Sequence, residues 1–229
     1  MTAAHPASIT LYHSAGARSF RPLWTLEALG LPYELRMLPF PPRVHAREYL
    51  EVNPLGTVPA FFDGALRMTE SAAISEYLVT RYGPSPLAVG VDEPDYGAWL
   101  NWQYFGEATL TFLQTLVLRY SHMEPPERRS PQIVDDYTKW FLARLRGIDA
   151  VVSRQDMLCA GRFTTADVSV GYALMLATSL GLSARFTPAV AAYFERLKAL
   201  DSWQRAREAE LRAGREQGVD FDLEGFLRT

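Results

Sequence analysis

The chain of 229 residues has one cysteine, Cys159, so it cannot build an intrachain disulfide framework. That fits a reducing, cytoplasmic compartment. It has no excess of positive charge. Its 23 lysines and arginines face 26 aspartates and glutamates, for a net charge of -3, which argues against nucleic acid as a main partner. No apolar run approaches the roughly 20 residues that a membrane helix needs. The longest, Val168 to Leu182, is broken by serine, threonine and glycine and reads as a buried helix. Met1 to Ser8 lacks the basic region and apolar core of a signal peptide. The histidines are scattered at positions 5, 13, 45 and 122, and no paired histidine, cysteine or carboxylate spacing indicates a metal site. Glycine-rich phosphate loops, internal repeats and low-complexity tracts are absent as well.

What is there is enough to fold. Hydrophobic residues make up 48% and charged residues 21%, so a real core can be buried in one large domain or two small ones. The first eighty or so residues mix two periods. Ile9 to His13 alternates like a strand, Arg21 to Leu29 reads as a helix stopped by Gly30, and Tyr33 to Leu38 alternates again. Strand, helix, strand normally means two parallel neighbours. A proline-rich stretch follows, with a short polar helix around Ala46 to Leu50. Then come Val58 to Phe62, a turn at Asp63-Gly64, and Ala65 to Met68, which together read as a hairpin. Ser71 to Tyr82 closes the unit as a helix. The order is βαβ, then ββα.

After Gly83-Pro84-Ser85-Pro86 the character changes. Residues 1–83 read as one domain, 84–92 as a linker and 93–229 as an all-helical domain. Tyr96 to Tyr120 carries a broad apolar stripe, Ile133 to Val152 is amphipathic, and Pro188 to Leu197 and Ser202 to Leu211 follow. Val168 to Leu182 is apolar nearly all round, which marks a central helix. Phe163 to Val168 reads as its start: Thr164 caps it, Asp167 reaches back in an aspartate version of the capping box, and Phe163 and Val168 form a hydrophobic staple. Cys159, just before, packs as a small apolar residue.

These features together resemble the cytosolic glutathione transferase family, over nearly the whole chain. The most specific piece is Asn53-Pro54-Leu55-Gly56-Thr57-Val58-Pro59, followed by Glu70-Ser71-Ala72-Ala73-Ile74. The linker position and the cap before the central helix agree. Ser19-Phe20-Arg21-Pro22-Leu23-Trp24 looks most like bacterial and fungal members. The resemblance implies a thioredoxin-like domain that holds glutathione as co-substrate, no metal, no membrane, a hydrophobic electrophilic small molecule as second substrate, and a homodimer.

The resemblance also implies a cis Val58-Pro59 bond, so that Val58 pairs strand-like with the cysteinyl backbone of glutathione. Ser71, at a helix start, suits the γ-glutamyl carboxylate, and Glu70 suits the ammonium. A simple N-cap with an acidic first turn accounts for the same pair. Asn53 either contacts the ligand or holds the loop. His45, with Arg43 and Arg47, either meets the glycyl carboxylate or is a solvated charged surface. The family places a thiol-activating donor between the first strand and first helix, here His13 to Ser19. The serine position of serine-type enzymes falls on Gly16 or Ala17, and the cysteine position of beta-class members falls on Arg18, which argues against cysteine-type redox chemistry. Ser14 is expected as hydroxyl donor with Arg18 as cationic support; a turn-capping hydroxyl and an exposed first-turn arginine are the alternatives. Ser19 reads otherwise as an interior helix residue. The acceptor pocket is expected between the domains, from Tyr104, Phe105, Phe112 and Tyr120, although a core or dimer role explains such a stripe too. Three functions remain open: transfer of glutathione to an electrophile, another glutathione-dependent reaction (isomerisation, dehalogenation, ether cleavage or peroxide reduction), and non-catalytic binding.

Overall fold

Strand β1 (Ile9–His13) buries Ile9, Leu11 and His13 and leaves Thr10 and Tyr12 half-buried, as its alternation predicts. The structure is a computed structural model that describes residues 9–219; the stretch Met1 to Ser8, with His5, lies outside them. Helix α1 (Phe20–Leu29) turns Phe20, Leu23, Trp24 and Leu26 inward and ends at Gly30, which takes left-handed backbone at φ 63°. Strand β2 (Glu34–Met37) runs parallel to β1, from Thr10 opposite Glu34 to His13 opposite Met37. Two short helices follow, α2 (Pro42–His45) and α3 (Tyr49–Val52), where periodicity predicts one. Strands β3 (Ala60–Asp63) and β4 (Leu66–Met68) form the hairpin, with β3 antiparallel to β1. The sheet order is β2-β1-β3-β4. The turn is one residue later than predicted: Asp63 pairs with Leu66, leaving Gly64 (φ 58°) and Ala65 at the tip. Helix α4 (Ser71–Arg81) is tied to the hairpin through Asp63, whose carboxylate accepts from Tyr77 at 2.8 Å and Tyr82 at 2.6 Å.

Contact divides the chain into two compact units: the chain to Ser85 with Leu200 onward, and Pro86–Ala199. This differs from the periodicity-based division at both ends. Residues 86–92 are fastened to the second unit, because Arg162 donates to the carbonyls of Pro86 at 2.9 Å and Ala88 at 2.8 Å and pairs with Glu93. At the far end, the helix of residues 201–216 packs on α1. Amphipathic periodicity reports that a helix has an apolar face, not which partner covers it.

In the second unit, the predicted helix from Tyr96 to Tyr120 is interrupted. Helix α5 (Tyr96–Tyr104) passes into a π-helical turn over Phe105–Thr111, then α6 (Phe112–Leu118), then a second π turn over Arg119–Met123. The first turn has a local cause: the Thr111 hydroxyl donates to the Gly106 carbonyl at 2.7 Å, and a Cβ on Gly106 would meet the Ser169 hydroxyl at 2.4 Å. Helix α7 (Pro131–Val152) starts with Ser130 as cap and proline at its first position. Helix α8 (Thr165–Ser179) is buried almost throughout, as predicted, and both halves of the Thr164–Asp167 box are present, with Asp167 accepting from the Thr164 amide at 2.8 Å. Asp167 also accepts from the Leu158 amide and the Tyr193 hydroxyl, so this carboxyl is a structural hub. Helix α9 (Pro188–Lys198) is capped by Thr187. No described helix is long and apolar enough to cross a membrane.

Helix α10 (Asp201–Glu216) lays Trp203, Ala206, Ala209 and Ala213 inward. Trp203 meets Trp24 edge to face at 4.8 Å and Phe20 at 5.0 Å, and Trp24 donates to the Ser202 hydroxyl at 3.0 Å. Beyond its end, the Gln217 amide accepts from the Met37 amide and donates to the Leu35 carbonyl, both at 2.8 Å, and so occupies the open edge of β2.

Candidate functional site

The segment from Asn53 to Pro59 is shaped by its own side chains. Gly56 stands at φ 60°, and a Cβ there would meet Arg43 Cβ at 2.7 Å, so glycine is required twice over. Asn53 is fully buried. Its oxygen accepts from the Leu55 amide at 3.3 Å and Arg67 at 2.9 Å, and its nitrogen donates to the Thr57 carbonyl at 2.7 Å. The Tyr49 hydroxyl donates to the same carbonyl at 2.8 Å. Asn53 therefore holds the loop. The Val58-Pro59 bond is cis. Neither the amide nor the carbonyl of Val58 has a partner among the described residues, although both lie just ahead of β3. An open amide and carbonyl next to a strand start can pair with an extended peptide.

At the start of α4, Glu70 has extended backbone and an exposed carboxylate without a side-chain partner among the described residues. Ser71 is the first helical residue and is buried. Its hydroxyl accepts from Arg21 Nη1 at 3.0 Å, and its carbonyl accepts from Ser75. Arg21 is fully buried, which arginine almost never is unless paired. It places positive charge beneath an anion-favouring helix end. No role for Arg21 was expected from the sequence; the available signal was a charge set between Phe20 and Leu23 on an inward stripe.

Between β1 and α1 the chain turns tightly, with the Ala17 amide donating to the Ser14 carbonyl at 3.0 Å and Gly16 at φ 71°. Ser14 is 0% exposed, and its hydroxyl has no hydrogen-bond partner. With Tyr12 opposite Ala60, Ser14 lies two residues past the one and Val58 two residues before the other. Ala17 packs in the same apolar cluster as Val58, with Tyr12, Tyr49 and Phe62. Arg18 is half-buried. Ser19 is buried, and its hydroxyl lies 2.7 Å from His13 Nδ1. His13 Nε2 lies 2.9 Å from a Glu210 oxygen on α10, which also accepts from the Gly16 amide at 3.4 Å. His13 and Glu210 were not expected in this region from the sequence, and no local signal joins residues 197 apart.

Of the remaining expected residues, His45 belongs to the first unit and Tyr104, Phe105, Phe112 and Tyr120 to the second. His45 is exposed at the end of α2, with Arg43 and Arg47 exposed beside it in sequence. Tyr104 and Phe112 are 48% and 55% exposed. Phe105 packs edge to face on Trp102 at 5.1 Å, and Tyr120 is half-buried under the Arg119 guanidinium. Cys159 is buried, and burial pushes its thiol up to about 11.

Residues 11–86 match the model of the glutathione S-transferase N-terminal domain. Glutathione S-transferase hmp2 of Hypomyces subiculosus is 30% identical over 213 residues, 86% of this chain and 97% of that protein. Glutathione S-transferase 3 of Schizosaccharomyces pombe is 38% identical over 105 residues, which span 42% of its own length. Among solved structures, the glutathione transferase URE2P6 of Phanerochaete chrysosporium, in complex with oxidized glutathione, superimposes with a TM-score of 0.78 at 26% identity, covering 91% of this chain and 99% of that one. The URE2P5 enzyme of the same organism reaches 0.80 at 23% identity, over 94% and 100%. The chain belongs to the glutathione S-transferase family.

Proposed function

We propose that this chain binds glutathione and transfers its sulfur to an electrophilic, apolar small molecule. The observation that carries the reading is the open amide and carbonyl of Val58 ahead of β3, accompanied by an unpartnered Ser14 hydroxyl and the Arg21-supported Ser71. Val58 pairs with the cysteinyl backbone. Ser71 and the first amides of α4 hold the γ-glutamyl carboxylate, and Glu70 holds its ammonium. Asn53 acts by holding the loop, and His45 is the candidate for the glycyl carboxylate. A free thiol has a pKa near about 8.5, so a donor to sulfur is needed for reaction at neutral pH. Ser14 is the candidate for that donor, with Arg18 as cationic support. The thiolate attacks the electrophilic carbon, an S–C bond forms as the bond to the leaving group breaks, and the thiol proton passes to solvent. Tyr104, Phe105, Phe112 and Tyr120 are assigned to the acceptor, Tyr104 and Phe112 offering exposed rings. Detoxification, a cytoplasmic location and a homodimer belong to the same reading, on the strength of family membership; light scattering tests the dimer.

A second reading, non-catalytic glutathione binding, is favoured by Gly16 and Ala17, neither of which brings a side-chain donor to the position of the family's serine. Retention on immobilised glutathione with turnover of an aryl halide supports transfer. Retention without turnover, and with the bound thiol at its free pKa, supports binding alone. No retention sinks both.

A further inference from the structure

Beneath the loop from Ser14 to Ser19 lies a buried hydrogen-bond chain that the proposed chemistry leaves unused. Ser14, Ser19 and His13 are 0% exposed and Glu210 is 1% exposed. The Ser14 amide donates to Ser19 Oγ at 3.4 Å, Ser19 Oγ lies 2.7 Å from His13 Nδ1, and His13 Nε2 lies 2.9 Å from Glu210 Oε2. The same carboxylate oxygen accepts from the Gly16 amide at 3.4 Å, and the other accepts from Arg207. Assigning the Nε2 proton to the Glu210 bond makes Nδ1 the acceptor of the Ser19 hydroxyl, which accepts in turn from the Ser14 amide. Every donor then has an acceptor, the condition under which a buried polar network rigidifies its surroundings. The order serine, histidine, carboxylate resembles a hydrolytic triad, but full burial keeps any substrate from Ser19 Oγ.

We infer that Glu210, carried by the C-terminal helix α10, is a positioning residue for the thiol-activating loop, holding it at Gly16 directly and at Ser14 through His13 and Ser19. Two of the loop's residues are thereby fixed to one carboxylate, and Ser14 is the residue whose hydroxyl remains to be used. The inference rests on the reading of this loop as the sulfur side of the site.

The test is Glu210→Gln in the full chain. It keeps the size of the side chain but replaces one acceptor oxygen with a donor, so the Gly16 amide, His13 and Arg207 can no longer all be satisfied. Thiolate absorbance of bound glutathione is titrated with pH, and kcat and KM for glutathione are measured with an aryl halide. The thiolate midpoint should rise by about one unit and kcat at neutral pH should fall about tenfold, the ratio one pKa unit represents. KM for glutathione should change less than about threefold, because Val58, Glu70 and Ser71 are untouched. Ser19→Ala should move the same two quantities in the same direction. Folded variants with unchanged midpoint and kcat would overturn the inference. So would loss of folding in both variants, which would make the network purely structural. Failure of the wild type to bind glutathione would instead overturn the functional reading, and the inference with it.

Discussion

The two sides of the proposed glutathione site are built in opposite ways. The proposed cysteinyl side is local: Asn53 organises Leu55 and Thr57, within three residues of Val58, whereas Ser71 on the γ-glutamyl side is reached by Arg21 from 50 residues away. The sulfur side is remote: its loop is held by His13, its neighbour, and by Glu210, 197 residues away. The local side can be specified by a contiguous motif. The remote side exists only when α10 is in place. A change in a short motif should therefore impair ligand affinity, whereas a change in a distant helix should impair reactivity.

The largest effect that tests this contrast is Trp203→Ala. It removes the ring between Phe20 and Trp24 and should destabilise the first unit by about 3–5 kcal/mol, read as a fall in Tm or denaturant midpoint. A cost under about 1 kcal/mol would mean that α10 is a loosely attached appendage. Next, Ser14→Ala should lower kcat on the order of a hundredfold while leaving the dissociation constant for glutathione near that of the wild type, since one preorganised donor to a developing charge has that value. Ser71→Ala should do the reverse. Losing a hydrogen bond to a charged ligand group should weaken glutathione binding roughly tenfold or more, by calorimetry, with little change in the bound thiol's pKa. If the two variants lose the same quantity, the two sides are one unit and the contrast fails.

The smallest effect is expected at Cys159, in the other unit. Burial raises the thiol to about 11. Its thiolate is therefore scarce at neutral pH and increases as pH rises toward that value, so labelling by a thiol reagent should be slow at pH 8 and faster in denaturant. Cys159→Ala should leave kcat unchanged. Rapid labelling of the native protein at pH 8 would show that the segment before α8 opens readily.

What was legible in the sequence follows the same local-versus-remote line. The Thr164–Asp167 box, the start of α9 at Pro188, the strand alternation of β1 and the glycine that ends α1 all act within a few residues, and each is found where the sequence puts it. The hairpin tip moved by one residue, because register is settled by the partner strand. The π turn over Phe105–Thr111 is not legible because it sits where Gly106 closely approaches Ser169, a contact between helices. Arg21 passed as an ordinary helix-start residue since its partner, Ser71, lies 50 positions on. Glu210 was hidden for the same reason, at greater range.

The first unit is discontinuous: its last helix comes from the end of the chain, while residues 86–199 form an uninterrupted stretch. During synthesis from the N-terminus, the later unit in sequence has all its residues before the earlier one does. Until α10 emerges, Phe20 and Trp24 lack Trp203, His13 lacks Glu210, and the edge of β2 lacks Gln217. The nascent chain thus presents an uncovered aromatic pair and a bare strand edge through most of translation, and chain termination before residue 201 leaves that exposure permanent. Messages or proteolytic nicks that remove the last helix should yield aggregation-prone fragments rather than a smaller working protein.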